Sequence, residues 1–96
     1  MNSSKYSNQK IKEERNKMLD TAIGPITNQF YDGFTFQINV THIGRHNKFR
    51  YNAQETVFVA SNNTGYPLLR LSGIRVVCHV RYRDTYNRLY ADIYLE

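Results

Sequence analysis

"IKEERNKMLDTAIGPITNQFYDG", residues 11–33, is the stretch on which the fold class turns. Ile11, Arg15, Met18, Leu19, Ala22, Ile23 and Ile26 follow i, i+4, i+7, i+8 spacing, with Lys12, Glu13, Lys17 and Asp20 outside that stripe. Such a period predicts an amphipathic helix with one buried face. Ser7 or Asn8 can cap it by accepting a bond from a free amide of the first turn. Gly24-Pro25 interrupts it, because proline donates no amide and clashes with the carbonyl four residues back. The helix therefore kinks there or restarts with Pro25 as its first residue. Phe30 and Tyr31 close the second piece, and Asp32-Gly33 reads as a turn. Residues 1–7, "MNSSKYS", are small and polar and read as a flexible tail.

After the turn the pattern changes to period two. In "FTFQINVTHI" (34–43), Phe34, Phe36, Ile38 and Val40 alternate with Thr35, Gln37, Asn39 and Thr41, which describes a half-buried strand. "ETVFVAS" (55–61) is a short β-branched strand, "NNTGYP" (62–67) a loop, and "LLRLSG" (68–73) a short strand or the lead into the next. The strongest pattern lies in residues 74–96. If paired positions sum to 171, Tyr82–Leu89, Val80–Ala91, Cys78–Ile93 and Val76–Leu95 share the buried face. Arg83–Arg88, Arg81–Tyr90, His79–Asp92, Val77–Tyr94 and Arg75–Glu96 share the exposed one. A slip of one residue would bury arginines, so the register is firmly specified. Arg83 opposite Arg88 is its one repulsive pair. The turn is Asp84–Asn87, with Asn87 suited to a left-handed conformation.

The order of these elements predicts an α+β domain, residues 8–96, in two layers. One broken N-terminal helix packs on an antiparallel sheet of four to five strands. That order is similar to the cystatin-like or NTF2-like arrangement, in which a helix is cradled by a meandering sheet. At 96 residues with 41% hydrophobic and 22% charged content, the chain is one globular domain. A single cysteine excludes an internal disulfide. The sequence shows no secretory leader and no long apolar run, so an intracellular, cytoplasmic protein without a membrane segment is expected. The sequons at Asn39 and Asn62 then read as chance matches.

The net charge of +5 is unevenly spread. "GRHNKFRYN" (44–52) holds Arg45, Lys48 and Arg50 with no acid beside them, together with His46, Phe49 and Tyr51. Cations that neutralise phosphates, interleaved with rings that stack on bases, are what single-strand binders use. The outward face of the C-terminal hairpin adds Arg75, His79, Arg81, Arg83, Arg88, Tyr90 and Tyr94. These residues predict a non-enzymatic binding protein for RNA or single-stranded DNA, with loop and hairpin forming one surface. The alternative is an inhibitor or adaptor of viral or mobile-element type, docking through the same residues on an acidic surface of a larger host protein, since Tyr and Arg dominate interface hot spots. A homodimer is expected under either reading, to cover an apolar edge.

Catalytic and metal patterns are absent from the sequence. His79 and Asp92 are expected neighbours, but Cys78 points to the opposite side of its strand, which leaves no triad. No CxxC or HExxH spacing and no glycine-rich phosphate loop occurs, so neither a metal nor a cofactor is expected. "LSGIRVVCHVRYRDTYNRLYADIYLE" (71–96) loosely resembles the ending of RelE/ParE-type ribonuclease toxins. That resemblance implies Arg75, Arg81, Tyr90 and Tyr94 as phosphate and base contacts. It covers roughly the last quarter of the chain; those toxins open with a strand and a helix pair, which this chain lacks.

Overall fold

The computed structural model describes residues 20–44 and 49–96. They form six strands and one short 3-10 turn: β1 (Thr21–Asp32), β2 (Thr35–Asn39), β3 (His42–Ile43), β4 (Gln54–Asn62), the turn Leu68–Leu71, β5 (Arg75–Arg83) and β6 (Leu89–Leu95). The ladders run β2-β4-β6-β5-β1-β3, and β1 also pairs with β2. Five strands thus close into a barrel, with β3 as an extra rung beside the start of β1. The expected α+β layering is overturned. Residues 21–32 are strand, neither the end of a first helical piece nor a second piece restarting at Pro25, and the described residues hold no helix longer than the four-residue turn. The tail at 1–7 and the helical reading of residues 8–19 lie outside the described residues.

The physical reason is that residues 21–27 satisfy two periods at once. Ala22, Gly24 and Ile26 are buried, while Ile23, Pro25 and Thr27 are half-buried. A helical stripe through Ala22, Ile23 and Ile26 competes with alternation, and Gly24-Pro25 disfavours the helix. The proline is tolerated for a local reason. The amide of Ile26 donates to Ile74 on the β5 side, so the neighbouring Pro25 turns its nitrogen to the opposite edge. On that edge β1 changes partner, from β3 at Ala22 and Ile23 to β2 at Ile26. No ladder bond is required of it there.

Gly24 sits at the same corner. A Cβ on it would fall 1.8 Å from the carbonyl oxygen of Asn39. Only glycine lets the chain at 39–41 cross this close while Thr41 donates to the Ile23 carbonyl.

The barrel encloses one core. Ala22 and Ile26 of β1, Phe36 and Ile38 of β2, Val57 of β4, Val76, Cys78 and Val80 of β5, and Leu89, Ala91 and Ile93 of β6 all face inward. Leu68 and Leu71 seal the end nearest the β1–β2 hairpin. Gly73, at a φ of +78°, turns the chain from that seal into β5 and donates to the Ile26 carbonyl.

Strand directions correct a second expectation. β1–β2, β2–β4, β5–β6 and β1–β5 are antiparallel, but β4 and β6 are parallel, with Val57 beside Leu89 and Phe58 beside Tyr90. Around the closed barrel the strands run β1-β2-β4-β6-β5-β1, so β6 lies between β4 and β5.

Candidate functional site

The β5–β6 hairpin keeps the expected register over Val76–Leu95, Val77–Tyr94, Cys78–Ile93, His79–Asp92 and Val80–Ala91. Then a bulge intervenes. Tyr82 pairs with Tyr90 and Arg83 with Leu89, one residue out of step. The shift separates Arg83 from Arg88, the like-charge pair of the unbroken register. It also inverts two side chains. Tyr82 turns outward and is 52% exposed, while Arg83 turns toward the barrel mouth and meets Glu55, which is 3% exposed.

Arg83 is the most heavily bonded of the ribbon's arginines. It donates to both Glu55 oxygens at 3.0 Å, to the Asn87 carbonyl at 3.1 Å and to the Arg50 carbonyl at 2.7 Å. The last bond ties the flank of the basic segment to the hairpin, so the two are neighbours. The remaining ribbon arginines are also partnered. Arg75 meets Glu96 at 2.9 Å, Arg81 grips Asp92 through two bonds of 3.0 and 2.8 Å, and Arg88 meets Asp84 at 2.7 Å. All four guanidinium groups are therefore neutralised by carboxylates of the chain. Burial raises the Asp92 carboxyl, but bonds from Arg81 and Ser61 outweigh it and hold the group below the ordinary range.

Neutralised guanidinium planes still stack. Phe58, Tyr90 and Tyr82 form a row across β4, β6 and β5, with ring centroids 5.6 and 5.0 Å apart. Arg88 lies 4.4 Å over Phe58 and 5.1 Å from the ring of Tyr86, and Arg81 lies 5.7 Å from Tyr90. Tyr86 stands at the turn, 79% exposed. That turn is rigid. The Asp84 carboxylate accepts the amides of Tyr86 and Arg88, and Asn87 takes the left-handed conformation at φ +66°. Along the ribbon, His79 packs its ring 4.9 Å from Tyr94.

The basic segment is described at Gly44 and from Phe49 onward; Arg45, His46 and Lys48 lie outside the described residues. Arg50 is exposed. Phe49 and Tyr51 are half-buried and pack against the core, edge to face at 6.3 Å. The Phe49 amide donates to the buried Asp20 carboxylate at 3.0 Å. Burial, with Asp20 nearby, pushes the Tyr51 hydroxyl above its usual value. These two rings close the mouth of the barrel, and the outward aromatics come from elsewhere.

Tyr82, Tyr86 and Phe58 were not singled out by the sequence. An unbroken period of two assigned Tyr82 to the interior. The signal available was the Arg83–Arg88 repulsion, which a bulge relieves.

His79 stands opposite Asp92, but the Asp92 oxygens bond Ser61 and Arg81. Cys78 is fully buried, and burial pushes its thiol up to about 12, so it stays protonated. Among the described residues no group of three or more His, Cys, Asp or Glu side chains is placed to hold a metal ion, and no helix is long and apolar enough to cross a membrane. No protein-family model, curated protein or solved structure matches the chain.

Proposed function

We propose that this protein binds single-stranded nucleic acid, without chemistry of its own, on the aromatic row of its outer barrel face. The observation that carries the reading is the line Phe58–Tyr90–Tyr82, flanked by Tyr86 and overlaid by Arg88 and Arg81. Tyr82 and Tyr86 are exposed, while Phe58 and Tyr90 are half-buried beside the guanidinium groups; exposed rings and flat guanidinium planes are stacking platforms that accept any base. The five-stranded closure adds support at the level of fold analogy, since OB-folds bind oligonucleotides on the face of their second and third strands and the adjoining loops, where Phe58 on the third barrel strand and the Tyr86 turn between the fourth and fifth fall. Ion pairing reassigns the arginines: Arg75, Arg81, Arg83 and Arg88 shape the surface, and phosphate neutralisation falls to Arg45, Lys48 and Arg50.

This division has a measurable signature. With about three phosphate contacts on a single strand, log K should fall with log salt at a slope near −2. Fluorescence anisotropy with a labelled oligouridylate tests it. Replacing Tyr82 and Tyr86 by alanine should weaken binding by about 1–3 kcal/mol per lost stack, without lowering the melting temperature. Absence of binding at low salt would end the proposal.

A second reading, docking on a protein, is favoured by the ribbon's charge neutrality, because Tyr with ion-paired Arg suits a protein interface. It would show as no oligonucleotide binding together with co-purification of a protein that Tyr82→Ala abolishes. RNA cleavage by the purified chain would instead favour a ribonuclease of the toxin type.

A further inference from the structure

The barrel end opposite the basic segment has a different character. Leu68 and Leu71 of the 3-10 turn face in, but Leu69 is 70% exposed and Phe34 65% exposed, with Tyr66, Ile74 and Leu95 also turned to solvent. Two hollows flank the turn. One, of about 290 Å3, is lined by Tyr66, Arg70, Leu71, Ile74 and Leu95. The other, of about 280 Å3, is lined by Asp32, Phe34 and Val59 on one side and Pro67 and Leu69 on the other. Each hollow carries one charge: Arg70 in the first, Asp32 in the second. Neither forms an ion pair among the described residues, whereas every arginine of the ribbon does; the Asp32 carboxylate accepts the Phe34 amide at 2.7 Å through Oδ1.

We infer that this end docks on the same end of a second copy of the chain, about a twofold axis near Leu69. The charge pattern selects that occupant. A twofold contact requires a patch complementary to itself, in which residue i meets j and j meets i. One cation and one anion on opposite sides of an apolar centre meet that condition: Arg70 of one copy faces Asp32 of the other, twice. Exposed Leu69, Phe34 and Tyr66 supply the area to be covered, and the two charge pairs at the rim fix orientation. The patch adjoins the aromatic row at the β1–β2 turn, where Thr35 pairs with Phe58, but the inference rests on its own apolar residues and charges and not on what binds the row.

Sedimentation equilibrium from about 1 to 200 µM tests the inference on the full chain. The wild type should dimerise. Leu69→Glu, at an exposed position, should leave it monomeric with an unchanged circular dichroism spectrum. Arg70→Asp and Asp32→Arg should each weaken the dimer about tenfold or more, because each homodimer then holds two like-charge contacts. Mixing those two variants should restore dimers, since both contacts are again opposite in sign. A wild type that stays monomeric, a dimer that Leu69→Glu leaves intact, or no recovery on mixing natively folded variants would overturn it.

Discussion

Gly24 shows how one residue decides the course of the chain. Its missing side chain leaves room for the Asn39 carbonyl, and that close crossing lets β1 exchange β3 for β2 on one edge. Gly24→Ala would put a carbon 1.8 Å from a backbone oxygen, so strand must move, not a flexible tip. The expected loss is about 3 kcal/mol, read as a lower urea midpoint at unchanged m-value. In the sequence this glycine looked like half of a helix break. No break exists there: β1 runs through Gly24-Pro25 as one strand, and the helical reading arose because residues 21–27 fit both periods. The close approach of Asn39 is a tertiary fact that local pattern does not carry. Cys78 was more readable. Its parity placed it inside, and it is fully buried.

At the scale of elements, the β5–β6 hairpin was the most legible part of the chain. Five pairs follow the register that parity imposes, because one face had to exclude arginine. The last two pairs depart from it, since a single bulged residue costs less than opposing two guanidinium groups and burying Tyr82. That departure built the aromatic row, so the strongest candidate for function lay where the pattern failed.

The same hairpin predicts a pH response. For Asp92 and Asp84 burial opposes ionisation, yet bonds from Arg81 and Ser61 in one case, and from the Arg88 and Tyr86 region in the other, lower both values. Glu96 is lowered chiefly by its bond with Arg75. A carboxyl whose folded value lies below its unfolded one stabilises the fold fully above the unfolded value and loses that contribution as pH falls through the folded one. Stability should therefore hold from neutral pH to about 5 and decline below about 4. Urea titrations at pH 7, 5 and 3 check it; equal midpoints at pH 5 and 3 would contradict the ion-pair geometry.

For the whole molecule, the sequence made strands recognisable and left their order open. β2, β4, β5 and β6 were each expected close to where they fall, but closure depends on pairings remote in the chain. β1 meets β5 with Pro25 beside Arg75, and β4 meets β6 in parallel. No turn signal announces such contacts. They also set the rate of folding, since long loops must close before the ladders form. Refolding from urea should be slow, on the order of milliseconds to seconds, followed by tyrosine fluorescence in a stopped-flow mixer. A microsecond phase carrying the full amplitude would contradict the closure.

β1 is hydrogen-bonded on one edge to β2 and β3 and on the other to β5, so it is the stave on which the ring is hooped. During translation it leaves the ribosome before β5 and waits, with one edge bare, until residues 75–83 have cleared the exit tunnel. A nascent chain held with only the residues up to Gly73 outside the tunnel would expose that edge and the undersides of β2 and β4 together. Synthesis therefore passes through a sticky, half-built interval that only the final hairpin can end.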